Sequence, residues 1–135
     1  MKMAIEEAKK SLKTNDVPVG AVIVRDGIVI SKAHNEKERK QIAVNHAEII
    51  AIKKACKKLK TWRLDNCVIY VTLEPCMMCT GAIKESRISG IIYATESEKY
   101  GYANKQSNKK NFFVKKGYLE KESKKILRDF FIEKR

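Results

Sequence analysis

Val68-Ile69-Tyr70-Val71-Thr72-Leu73-Glu74-Pro75-Cys76-Met77-Met78-Cys79 is the stretch that decides the fold of this chain. Its opening run is almost continuously apolar, which suits a strand covered on both faces, as in an α/β sheet. Pro75 disfavours helix at Glu74 and is suited to the first helical position after it. The spacing then predicts a helix over 76–86. Residues three apart share a helix face, so Cys76 and Cys79 can close on one ion. The helix N-terminus carries partial positive charge, which lowers a thiol's pKa and favours the thiolate a metal needs.

Upstream, His46-Ala47-Glu48 opens a second helix over 46–59, where Ala47, Ile50, Ala51, Ala55 and Leu59 form an apolar stripe beneath lysines. His46, Cys76 and Cys79 make three good zinc ligands, and three leave the fourth tetrahedral position open for water. Bound zinc brings the pKa of such a water down to about 7. Glu48, outside the ligand set, is placed to carry protons. A lone CxxC also serves structural zinc or redox work, and a lone histidine is commonly a hydrogen-bonded core or surface group. The joint pattern is what points to a catalytic metal: one helix opened by HxE, an apolar strand, a second helix opened by PCxxC. A structural site would take a fourth protein ligand. His34 is the only other histidine, and it is expected to lie exposed at a strand end. Asn35, just after it, could fix a substrate by its amide, or simply be a turn residue.

Further out, Ile5, Ala8 and Leu12 predict a helix over 2–13, and 17–24 reads as a strand. Asp26-Gly27 is a hairpin turn signal with 28–30 returning as the partner strand. Residues 36–41 form a charged loop, 91–94 a further strand, and 96–111 a polar, lysine-rich surface loop with helical turns. A closing helix over 119–135 carries Ile126, Leu127, Phe130 and Phe131 as its buried stripe. This order predicts a mixed sheet with helices on its faces and a site at the carboxyl ends of its strands.

At 135 residues the chain has room for one domain, 1–135, with one core. Acidic Glu6 and Glu7 stand where a signal peptide would be apolar, so a soluble cytoplasmic protein with no membrane association is expected. Cys56 and Cys67 lie in apolar segments and read as small buried hydrophobes. The net charge of +13 suggests a polyanionic partner such as nucleic acid. Its lysine dominance equally reflects an AT-rich genome, because phosphate readers favour arginine for bidentate contacts.

With these residues in view, the chain resembles the cytidine deaminase superfamily, and within it the bacterial tRNA-specific adenosine deaminases. The resemblance runs through Val17-Pro18-Val19-Gly20-Ala21-Val22, Asn35, His46-Ala47-Glu48-Ile49, Leu64 and Tyr70 to Cys79. It continues through Gly81-Ala82, Ser86-Arg87-Ile88 and Asp129-Phe130-Phe131. It implies a three-layer α/β/α fold with a central mixed five-stranded sheet, and hydrolytic deamination of adenosine to inosine at the wobble position of a tRNA. It also implies one zinc ion per subunit on His46, Cys76 and Cys79, with Glu48 catalytic. Asn35, Ala47, Val17, Phe130 and Phe131 would bind substrate in a homodimer whose two subunits both touch the tRNA anticodon loop. Three segments depart from the family pattern. Ile42-Ala43-Val44-Asn45 replaces an Asp-Pro-Thr-Ala type, Glu96-Ser97 an Arg-Asp pair, and Gly101-Tyr102-Ala103-Asn104 a Gly-Ala-Ala-Gly stretch. Lys105, Lys109 and Lys110 either contact phosphate there or are merely solvated.

Two rival readings remain. A zinc deaminase of a free base or nucleoside, of the guanine or cytosine type, needs no +13 charge and should be insensitive to salt. A non-catalytic, zinc-stabilised nucleic-acid-binding module has no need of Glu48.

Overall fold

The structure is a computed structural model that describes residues 1–105 and 111–134. Helix α1 (Lys2–Ser11) leads into strands β1 (Gly20–Arg25) and β2 (Ile28–His34). Next come a one-turn helix α2 (Lys37–Lys40), α3 (Ala47–Leu59), β3 (Cys67–Leu73), α4 (Met77–Glu85) and β4 (Gly90–Thr95). Strand β5 (Phe113–Lys116) and helix α5 (Glu120–Glu133) close the chain. The sheet order is β2-β1-β3-β4-β5. β1 is antiparallel to β2 and β3, whereas β3, β4 and β5 run parallel. α1 and α5 pack on one face, α3 and α4 on the other, giving the expected three-layer arrangement around a mixed five-stranded sheet.

Local chemistry accounts for most of these elements. Asp26 (φ 51°) and Gly27 (φ 75°) both hold positive φ, as the tight turn joining β1 to β2 requires. β3 lies in the middle of the sheet, and its Ile69 and Val71 are fully buried, as are Ile91 and Tyr93 of β4. Each such aliphatic side chain contributes about 1.5–3 kcal/mol by leaving water. Ala47, Ala51 and Ala55 put a smooth face of α3 on the sheet, and Ser31 of β2 donates its hydroxyl to the Ala51 carbonyl at 2.8 Å.

Several expectations need correction. The first strand starts at Gly20 instead of residue 17, because Pro18 has no N–H to give a ladder. β2 continues to His34, well past residue 30. The 36–41 segment is not wholly loop: buried Asp16 accepts the N–H groups of Glu38 (2.5 Å) and Arg39 (3.3 Å) and so caps α2 from a distant part of the chain. Leu12 leaves α1 for a 3-10 turn and is exposed. β5 falls inside a stretch with no clear strand pattern. Within the 96–111 segment, Lys105 ends a 3-10 turn, while Lys109 and Lys110 lie outside the described residues.

Candidate active site

α3 and α4 begin side by side. His46 is the N-cap of α3 (φ −72°, ψ 155°) and Cys76 the N-cap of α4 (φ −74°, ψ 177°), so each side chain is held by extended backbone just before a helix starts. His46 Nδ1 lies 3.8 Å from Cys76 Sγ and 3.5 Å from Cys79 Sγ, and one donor atom from each of the three residues falls within 4.8 Å of the others. Tetrahedral zinc with ordinary Zn–S and Zn–N bonds would separate sulfur and nitrogen by about 3.6 Å. The donor set therefore fits one zinc-sized ion. His34 is not in this cluster. Instead of lying exposed it is 17% exposed and sits 3.4 Å from the Glu7 carboxylate on α1.

Electrostatics favour metal-ready sulfur. The Cys76 thiol is pushed down to about 4, first by the hydrogen bond from Cys79 and then by His46, against the opposing effect of burial. Cys79, fully buried, keeps its proton and is shifted upward by Cys76, then by burial. The Cys76–Cys79 hydrogen bond thus pushes the two thiols in opposite directions, and the hydrogen bond with Cys76 raises the imidazole's pKa. Glu48 is 4% exposed, and burial raises its carboxyl to about 7, partly offset by helix backbone N–H and by His46. A carboxyl near neutrality is suited to both taking and giving a proton.

These groups open into a cavity of about 960 Å³. Among the residues expected at the site, Val17, Asn35, His46, Ala47, Glu48, Cys76 and Phe131 line it, with Cys79 beneath. The Asn35 amide is already set: its nitrogen donates to the Val17 carbonyl and its oxygen accepts from the Lys37 N–H, both at 3.1 Å. One N–H and one oxygen lone pair are left over for a ligand. Phe130 and Phe131 part company. Phe130 is buried (8% exposed) and does not line the cavity, while Phe131, expected in a buried stripe, is 51% exposed at the cavity wall. The ~100° step between consecutive helical residues separates them. Sequence reasoning missed Val19, Lys37, Leu73, Glu74, Leu127 and residues 97–100 as lining; Lys37 and Glu74 stand two residues from Asn35 and Cys76, whereas long-range chain closure brings in 97–100.

Comparison with known proteins places the chain among deaminases. A MafB19-like deaminase family model matches residues 1–135. A tRNA-specific adenosine deaminase of Bacillus subtilis (strain 168) is 42% identical over 142 residues, which span 100% of this chain and 88% of that protein. The chain belongs to the tRNA-specific adenosine deaminase family. As a member of that family it is a hydrolytic deaminase. A solved structure from work on A-to-I editing by tRNA:A34 deaminases is 36% identical, with TM-score 0.88 over 94% of this chain and 97% of that one. A guanine deaminase from Bacillus subtilis is 40% identical, with TM-score 0.66 over 70% of this chain and 61% of its own. Among the described residues, no helix of this family member is long and apolar enough to cross a membrane.

Proposed function

We propose that residues 1–135 form a single zinc-dependent deaminase domain, which converts adenosine to inosine at the wobble position of a tRNA anticodon. His46, Cys76 and Cys79 would hold the zinc, which when bound supplies acidity to a coordinated water and positive charge beside it. The other steps belong to the chain. Asn35, with one donor and one acceptor left over, grips the edge of the base, and the N–H of Ala47, first in α3 and without a helical acceptor, provides a second donor. Val17 and Leu73 press on its faces. Water gives its oxygen to the amidine carbon and the amine leaves as ammonia. Glu48 accepts the water's first proton and passes it to the ring nitrogen, then takes the second from the hydroxyl newly bound to carbon and delivers it to the departing amine. Phe131 and Tyr100, both exposed on the cavity wall, give neighbouring nucleotides surfaces to stack on. The enzyme works as a homodimer in the cytoplasm, each anticodon loop touching both subunits.

The observation that carries this reading is the Glu48 carboxyl, buried two residues from His46 and lining a cavity with exposed aromatic walls. The guanine deaminase likeness keeps one rival in play, a free-base deaminase. Zinc-loaded protein incubated with a wobble-adenosine anticodon stem-loop, and in parallel with free adenine, guanine, cytosine and cytidine, separates them by mass spectrometry. Inosine in the stem-loop alone is expected, with affinity falling steeply as salt rises. Turnover of a free base with the stem-loop untouched would overturn the substrate.

A further inference from the structure

Glu74 has no part in the chemistry above, yet it is a buried carboxylate, 6% exposed, two residues before Cys76. Burying a carboxylate is costly unless its oxygens are bonded. Both are: Oε1 accepts the N–H of Ser97 at 3.2 Å and Oε2 that of Asn104 at 2.8 Å. Backbone bonds reinforce the contact. Glu74 N–H donates to the Thr95 carbonyl at 2.8 Å, and Tyr102 and Ala103 donate to the Pro75 carbonyl at 3.0 and 3.3 Å. Gly101 N–H returns to the Ser97 carbonyl at 3.0 Å. The residues so bracketed include Ser97, Glu98, Lys99 and Tyr100, which form one wall of the catalytic cavity. A Cβ on Gly101 would lie 2.2 Å from Glu74 Oε1, so the loop closes on the carboxylate only because position 101 has no side chain.

We infer that Glu74 is a positioning residue that latches the 97–104 loop to the strand–helix junction carrying Cys76, and so sets how the cavity receives its substrate. The wall and the metal-ligand segment then move as one body. A carboxyl group suits this task, because its two oxygens satisfy two backbone N–H donors from opposite ends of the loop. The identity of the substrate rests on the function proposed above; the latch itself does not.

Two substitutions attack the contact from opposite sides. Glu74→Gln must turn its amide nitrogen toward one of the two N–H groups, donor against donor, so one bond is lost. Gly101→Ala drives a methyl group into the carboxylate and also to 2.5 Å from the Ser97 carbonyl, so it loosens the loop by two routes and Glu74→Gln tests the carboxylate contact itself. Both leave His46, Cys76, Cys79 and Glu48 in place. Zinc content, amide hydrogen exchange across 97–104 and steady-state kinetics on the wobble-adenosine stem-loop would be measured for each. The expected result is full zinc, exchange at Ser97 and Asn104 faster by roughly tenfold or more, and KM raised by roughly tenfold with kcat within about twofold. Should Gly101→Ala fail to fold, Glu74→Gln decides alone. Unchanged exchange overturns the latch, as does faster exchange with an unchanged KM. A fall in kcat alone, in step with the fraction folded, makes Glu74 merely structural and also overturns it. A wild type that leaves the stem-loop untouched sinks the tRNA reading instead; exchange and the KM for whichever base it does deaminate then decide the latch.

Discussion

Glu48→Gln separates two consequences of one buried carboxyl: the proton transfer proposed for it, and its cost to stability. Burial in the first turn of α3 raises this group from 4.5 to about 7 in the chain without an ion. Between those values the folded chain holds a proton that the unfolded chain has released, so stability falls as pH rises through the window. At about 1.36 kcal/mol per pH unit, the loss reaches on the order of 3 kcal/mol above pH 7 and vanishes below the unfolded value. Glutamine keeps the shape and never ionises. Metal-stripped Glu48→Gln should therefore match stripped wild type in urea unfolding near pH 4 and exceed it by on the order of 3 kcal/mol at pH 8. Reloaded with zinc, the same variant should keep its metal and lose about 10²- to 10⁴-fold in turnover of the stem-loop, the usual worth of a positioned acid–base group. Equal stability of the stripped proteins at pH 8 would refute the burial argument. Turnover within about tenfold of wild type would refute the proton-carrier role.

The other expected outcomes are as direct. Cys76→Ser and Cys79→Ser should each lose zinc measured by plasma mass spectrometry, because a hydroxyl replaces thiolate poorly; full retention in either removes that residue from the ligand set. In stripped protein at pH 6, iodoacetamide should label Cys76 first. Its thiol is pushed down to about 4 by Cys79 and His46, whereas burial pushes Cys56 and Cys67 up. Peptide mapping that finds Cys56 or Cys67 labelled ahead of it would contradict the lowering of the Cys76 thiol by its neighbours. Phe130→Ala should cost roughly 3 kcal/mol of stability in a denaturant titration with KM little changed. Phe131→Ala, at an exposed cavity wall, should do the reverse; a pair of variants with the same profile would show that the helix does not divide the two rings.

The cluster of His46, Cys76 and Cys79 was legible in sequence because it is local chemistry twice over. His46 and Cys76 each stand at the N-cap of a helix that its own apolar stripe or preceding proline announces, and only the meeting of the two helices needed the fold. The Asp26-Gly27 turn was legible for the same reason, since two residues contain the whole signal. What escaped was whatever depends on a partner far along the chain. α2 is capped by Asp16, more than twenty residues away, and reads alone as a charged loop. β5 has burial only at its first two residues, Phe113 and Val114, and gains strand character by pairing with β4. Phe131 fits an apolar stripe by spacing, yet its place at the cavity is set by how α5 docks on β3 and β4. Glu74 is the sharpest case. It lies inside the most informative stretch of the sequence, and nothing in that stretch says that its carboxylate will meet the N–H groups of Ser97 and Asn104. Motif residues that hold the chemistry can thus be found one segment at a time. Those that shape the cavity wall belong to contacts between segments, where Ser97 and Gly101-Tyr102-Ala103-Asn104 also fall. Substrate choice in this family member should consequently respond to changes in that loop and its latch while the metal-ligand set stays untouched.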